Sequence, residues 1–187
     1  MINTNLLEDP VELVDDAGRR TGTMGELAAH RAPGERHRAF SVFLFDLEGR
    51  LLLQRRAPTK HHSPGRWSNS CTGHPRPGQT PEEAARRRVA AELGVTPHHL
   101  AQAGTINYQL TEPMSGLVEH EHNHVFVGHV IGLPLPDPDD VADIAMVTAE
   151  ELLGMLERES FSAWFEIVSY VAMTAAPSLL PQLPADV

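Results

Sequence analysis

Apolar positions recur along this chain in two periods, and the most regular helical stretch runs from Thr80 to Gly94. Ala85, Val89 and Leu93 fall at i, i+4 and i+8, which places them on one face of a helix. Both ends of that helix are marked. Thr80 suits the N-cap, Pro81 suits the first helical position, Glu83 completes a capping box, and Gly94 is the expected stop. Arg88 and Glu92 are i, i+4 neighbours and overlook one edge of the stripe. In front of the helix lies a Gly/Pro-containing loop that carries His74 and the only cysteine, Cys71.

Elsewhere the pattern is shorter-ranged. Val11–Val14 predicts a strand, Asp15–Gly18 a turn, and Thr23–His30 a short helix capped by Thr23. The apolar runs Ala39–Phe45 and Leu51–Arg55, joined by residues 46–50, predict a hairpin. Gly104–Thr111 and Leu117–Ile131 predict two further strands around a turn at Glu112–Gly116. In the second of them Glu119 and Glu121 share one face with Val125 and Val127, while His120, His122 and His124 share the other. An acidic, proline-rich loop over residues 133–143 leads to a strand at Ile144–Val147. Thr148 and Glu151 form a second capping box for a helix to about Glu159, and Ser162 caps a last helix. Residues 1–9 form a loose start, residues 1–176 a single domain, and residues 177–187 a proline-rich tail. Strands interleaved with a few helices predict an α+β or α/β/α domain.

Composition narrows the class. A formal net charge of −10 argues against a general nucleic-acid or anionic-membrane binder, although a local basic pocket remains compatible with it. No stretch approaches the roughly 20 apolar residues of a membrane span. The first ten residues lack the basic-then-apolar pattern of a signal peptide, and a lone cysteine cannot form an internal disulfide, so the expected location is the cytoplasm. Eleven histidines are many for this length, and six of them lie within His98–His129. That excess points toward metal without fixing a site.

Several residue sets are candidates for chemistry. Glu119 and Glu121 lie roughly 6.5–7 Å apart along a strand and point the same way. Buried, they need a cation or a proton; exposed, they are simply solvated. His120, His122 and His124 offer three imidazoles, but the outer two sit ~13–14 Å apart on a straight strand, too far for one ion. Cys71 with His74 is compatible with a zinc half-site, with a nucleophilic pair, or with a structural cysteine. Arg55, Arg56, Lys60 and Arg88 could converge on an anionic group or be scattered surface charge.

From about Val11 to Trp164 the chain resembles the type I isopentenyl-diphosphate isomerases, a branch of the Nudix-like fold. The resemblance is carried in order by RTGTMGELAAH, HRAFSVFLFDLEGRLLLQRRA, PGRWSNSCTGHPRPG, RRRVAAELGV, the VEHE segment and FSAW. It implies an α/β/α sandwich with mixed sheets. It also implies a divalent ion, Mg2+ or Mn2+, held by three histidines and two glutamates, matching His30, His37, His74, Glu119 and Glu121. A second Mg2+ in the family bridges the substrate diphosphate and a glutamate matching Glu92. The diphosphate contacts map onto Arg56, Lys60 and Arg88. Glu121 and Tyr108 match the residues that supply a proton on one face of the substrate, and Trp164 matches an indole that shelters a carbocation.

Three departures accompany that resemblance. Where the family places a catalytic cysteine on the opposite face, this chain has Thr72, with Cys71 one residue earlier. A local register shift would be needed to bring Cys71 into the pocket. Glu26 stands where a lysine usually contacts diphosphate, and Met114 slightly lengthens the turn before Glu119. Of the carboxylates that Nudix hydrolases keep on the helix, Glu92 alone remains in the metal-binding cluster. The implied function is therefore interconversion of isopentenyl and dimethylallyl diphosphate. The alternatives are protonation or cyclisation of a longer prenyl diphosphate, or binding of metal and prenyl diphosphate without turnover. Nothing in the sequence predicts an oligomeric state.

Overall fold

The computed structural model describes residues 9–179. In chain order the first half forms strands β1 (Pro10–Val14) and β2 (Arg20–Gly25), helix α1 (Glu26–His30), and strands β3 (His37–Phe45), β4 (Leu51–Arg56), β5 (Trp67–Ser68) and β6 (Cys71–Gly73). Helix α2 (Pro81–Leu93), strands β7 (His98–Thr111), β8 (Val118–His129) and β9 (Val141–Val147), and helices α3 (Ala149–Arg158) and α4 (Phe165–Leu179) follow.

Strand β3 is the hub. It pairs in parallel with β8 from His37↔Glu121 to Phe45↔His129 and antiparallel with β6 through Ser41↔Thr72 and Val42↔Cys71. A strand covered on both faces reads as a continuous apolar run, which is why FSVFLF does not alternate. Phe40, Val42 and Leu44 pack with Leu52, Val89 and Leu93 under α2, whereas Phe43 packs with Val125, Val127, Phe165 and Val168 under α4. Each such burial contributes about 1.5–3 kcal/mol. A mixed sheet between α2 and α4 is the expected α/β/α sandwich.

Helix α2 forms as its local signals dictate. Glu83 N donates to Thr80 Oγ1 at 3.3 Å, and Thr80 N donates to the Glu83 carboxylate at 2.9 Å. Gly94 adopts φ 64°, and a Cβ there would lie 2.8 Å from Leu135 O, so both backbone conformation and space require glycine. Replacing Thr80 by Ala is expected to lower stability by about 1 kcal/mol, read as a reduced urea midpoint at unchanged m-value. An unshifted midpoint would mean the box contributes nothing.

Several boundaries differ from expectation. Thr23 lies inside β2, and α1 begins only at Glu26 with Gly25 at its N-cap. The hairpin of β3 and β4 pairs only Leu44↔Leu52 and Phe45↔Leu51, because β4 continues along β9. Strand β7 starts at His98 and absorbs two bulges, β8 is trimmed to Val118–His129, and β9 starts at Val141. The side chain of Ser162 does not cap α4; its Oγ lies 2.9 Å from Ser68 Oγ. Helix α4 runs through Pro177 to Leu179, past the expected start of the tail. Residues 1–8 of the loose start and 180–187 of the tail lie outside the described residues. No described helix is long and apolar enough to cross a membrane.

Candidate active site and metal centre

One cavity of about 340 Å³ is lined by residues from widely separated parts of the chain, among them His30, His74, Glu119, Glu121, Arg88 and Trp164. Topology explains the convergence. The register His37↔Glu121 sets the start of β3 beside the glutamates of β8, α1 ends at His30, and β6 delivers His74. The imidazoles of His30, His37 and His74 have centroids 4.4, 5.2 and 4.9 Å apart. Glu121 Oε1 lies 3.4 Å from His74 Nε2 and 3.9 Å from His37 Nε2, and Glu119 Oε2 lies 3.3 Å from His30 Nε2.

The donor chemistry fits a divalent ion. Nδ1 of His30 lies 2.8 Å from Glu26 O, and Nδ1 of His37 lies 2.8 Å from Glu35 O. A carbonyl accepts, so each Nδ1 carries a proton, and in the neutral ring Nε2 presents its lone pair. Both Nε2 atoms are buried and lack a hydrogen-bond partner among the described residues. An unsatisfied buried acceptor costs about 1–3 kcal/mol, and a cation removes that cost. One ligand atom each from His30, His37, His74 and Glu121 lies within 4.8 Å of the others, and a second group joins His30, His62 and Glu119 on the same criterion. All five expected residues therefore converge, but Glu119 falls with His62, whose Nδ1 is 2.8 Å from Glu119 Oε1. His62 was not among the expected residues; its only sequence signal is a second histidine in the loop after Lys60.

Electrostatics follow the burial. For Glu119, burial disfavours the charge, but His30 and His62 hold the carboxyl well below its usual range. Burial, aided by His74 and His30, keeps His37 well below its usual value and hence neutral. His74 goes the other way: burial opposes its charge, yet Glu26 and Glu121 lift it to about 10. A ligand role for His74 therefore requires displacement of that proton. Glu26, 3.4 Å from His74 Nδ1, is held down in turn.

The expected proton donor is also assembled. Tyr108 OH and Asn123 Nδ2, the latter at 2.9 Å, both donate to Glu121 Oε2. Burial and the Glu121 charge push the Tyr108 phenol well above its usual range, so it keeps its proton. Thr72 lines the cavity, and its hydroxyl donates to Phe40 O at 3.0 Å. Cys71 does not join it. Its side chain is fully buried in the core under α2, with Sγ 3.5 Å from Glu92 Oε2, and burial with the Glu92 charge pushes the thiol well above its usual range. Adjacent strand residues point to opposite faces, so the unshifted register that exposes Thr72 removes Cys71 from the candidate catalytic set. It also removes the proposed Cys71–His74 pairing.

At the other end of the cavity, Arg56 Nε donates to His62 O at 2.8 Å, and its guanidinium lies 5.1 Å from the Trp164 ring centroid. Trp164 is fixed by a bond from Nε1 to Asn69 Oδ1 at 3.2 Å. Lys60 and Arg88 both donate to Glu92 Oε1, at 3.3 and 2.8 Å. Asp140, from the acidic loop, also contacts both cations and was not foreseen. Arg76 and Arg87 line the cavity too, and Arg87 Nε is buried without a partner among the described residues. The histidines on the opposite face of β8 do not form a metal group among the described residues: His120 Nδ1 lies 2.9 Å from Gly34 O, and His122 Nδ1 lies 2.7 Å from Asn107 Oδ1.

Comparison with known proteins agrees with this geometry. Residues 35–165 match the NUDIX domain family. An isopentenyl-diphosphate Delta-isomerase of Streptomyces griseus subsp. griseus is 56% identical over 90% of this chain and 86% of that protein. One from Nocardia farcinica is 45% identical over 89% of this chain and 95% of that protein. Among solved structures, DR0079 from Deinococcus radiodurans superposes with a TM-score of 0.69 at 22% identity, covering 88% of this chain and 98% of that one, and so bears on the fold alone. The chain belongs to the isopentenyl-diphosphate Delta-isomerase family, within the Nudix fold.

Proposed function

We propose that this protein interconverts isopentenyl and dimethylallyl diphosphate by protonation and deprotonation. The observation that carries this reading is Glu121, a buried carboxylate that receives hydrogen bonds from Tyr108 and Asn123 at the cavity wall. A proton passes from the Tyr108–Glu121 pair to the terminal alkene carbon, leaving a tertiary carbocation at the neighbouring carbon. Water on the Thr72 side of the cavity takes a proton from the carbon on the cation's other side, the C–H electron pair forms the new double bond, and the isomer has the same atoms and charge. Trp164 presents a π face to the cation, and Arg56, Lys60 and Arg88 take the diphosphate. His30, His37, His74, Glu119 and Glu121 would hold a Mg2+ or Mn2+ ion, and Glu92, whose Oε1 accepts from Lys60 and Arg88, would be the carboxylate for a second Mg2+ arriving with substrate. Bound there, such ions supply positive charge that neutralises buried carboxylates and phosphate oxygens. The described residues 9–179 act as one catalytic domain in the cytoplasm, with no nucleic-acid or membrane partner.

Deuterium exchange tests this directly. Incubated with Mg2+ and isopentenyl diphosphate in deuterated water, the protein is expected to place deuterium in recovered substrate and product, and a chelator is expected to stop it. Unlabelled material would sink the reading. Glu26 inside the cavity and Thr72 in its wall favour a second reading, protonation or cyclisation of a longer chain. New products from ten- or fifteen-carbon prenyl diphosphates, with no exchange into the five-carbon substrate, would select it.

A further inference from the structure

His62 has no part in the chemistry above, yet it touches both ends of the site. It lies in the loop between β4 and β5, 8% exposed, with its ring centroid 4.1 Å from that of His30. Nδ1 is 2.8 Å from Glu119 Oε1, while its main-chain oxygen accepts from Arg56 Nε at 2.8 Å. The loop is pinned beside it: Ser63 is fully buried at φ 45°, and its Oγ accepts from Ala163 N at 3.2 Å, next to Trp164. Glu119 is thus a carboxylate between two imidazoles. His62 holds Oε1 at hydrogen-bond distance, while Oε2 faces His30 Nε2 at 3.3 Å without a hydrogen bond to it. A carboxylate free to turn about its last torsion would lose that aim; one oxygen held from behind keeps the other directed at the histidine cluster.

We propose that His62 is a positioning residue: its imidazole aims Glu119 at a divalent cation, and its carbonyl holds Arg56 at the anion-binding end. This rests on the reading of the histidine–glutamate cluster as a metal centre. It does not need the isomerase activity.

Mn2+ titration of the purified, substrate-free protein, followed by electron paramagnetic resonance, tests it. His62→Ala is expected to weaken Mn2+ binding by about 10- to 100-fold. His62→Asn, whose amide can place a donor near the Nδ1 position, is expected to recover most of that loss. Should the Ala variant fail to fold, comparing His62→Asn with the apolar His62→Leu decides the same point. Pulsed measurements on bound Mn2+ should find the same number of coupled imidazole nitrogens in wild type and His62→Asn. Unchanged affinity in His62→Ala, or equal affinity in the Leu and Asn variants, overturns the proposal. So does loss of a nitrogen in His62→Asn, which would make His62 itself a ligand, and so does absence of Mn2+ binding by the wild type. Wild type that binds Mn2+ but exchanges no deuterium would end the isomerase reading and leave this one standing.

Discussion

Glu121→Gln is expected to lower turnover of isopentenyl diphosphate by about a thousandfold or more at saturating Mg2+, near 4 kcal/mol of transition-state stabilisation. The amide matches the carboxylate in size, so Tyr108, Asn123 and His74 keep a neighbour of the same shape. What disappears is a group that can carry a proton to carbon. The loss should appear in kcat and equally in the rate of deuterium uptake, with the melting temperature close to wild type. Mn2+ affinity needs measuring alongside, because the other oxygen of the same carboxylate, Oε1, faces the histidine cluster, and saturating metal separates the two effects. Turnover within tenfold of wild type would place the proton donor elsewhere in the cavity.

Local signals were legible in the sequence, and non-local contacts were not. Thr80, Pro81, Glu83 and Gly94 each act within four residues of a helix end, so α2 could be placed residue by residue. Alternation in β8 put Glu119 and Glu121 on one side of the strand, but periodicity could not say that this side is buried, because burial comes from α1, β3 and β6. Family resemblance supplied that convergence. Thr23 looked like a helix cap because TMGELAAH mixes small and apolar residues. Antiparallel pairing of Met24 with Val11 and Thr23 with Glu12 decides instead for a strand. The first residues of β7, HHLAQA, lack β-branched side chains, and their extended form depends on β8. His62 and Asp140 escaped for a related reason. Each is an ordinary loop residue until the fold brings Glu119, 57 positions away, or Lys60, 80 positions away, to its side chain.

Thr72→Cys is expected to raise isomerase turnover by about 100-fold or more. The register of β6 against β3 sets this side chain at the cavity wall, and the family resemblance places a cysteine there. A hydroxyl already donating to Phe40 O is poorly able to exchange a proton with a substrate carbon near neutrality. A thiol, with a pKa of about 8.5, is matched to that task far better. Cys71 cannot substitute from where it lies, since its buried thiol is held protonated by desolvation and by Glu92. Cys71→Ala should therefore leave both the wild-type rate and the gain in Thr72→Cys intact, apart from a modest loss of stability. Alkylation of the new thiol should remove the gain, and the alkylating reagent should leave the wild type untouched. A Thr72→Cys protein no faster than wild type would mean that Thr72 is not the weak point of this site. The second reading would then gain ground: the threonine would suit a cation that ends by attacking a double bond of a longer chain instead of returning its proton. Ten- and fifteen-carbon substrates given to both proteins discriminate, because that reading requires the wild type to form products that the cysteine variant loses.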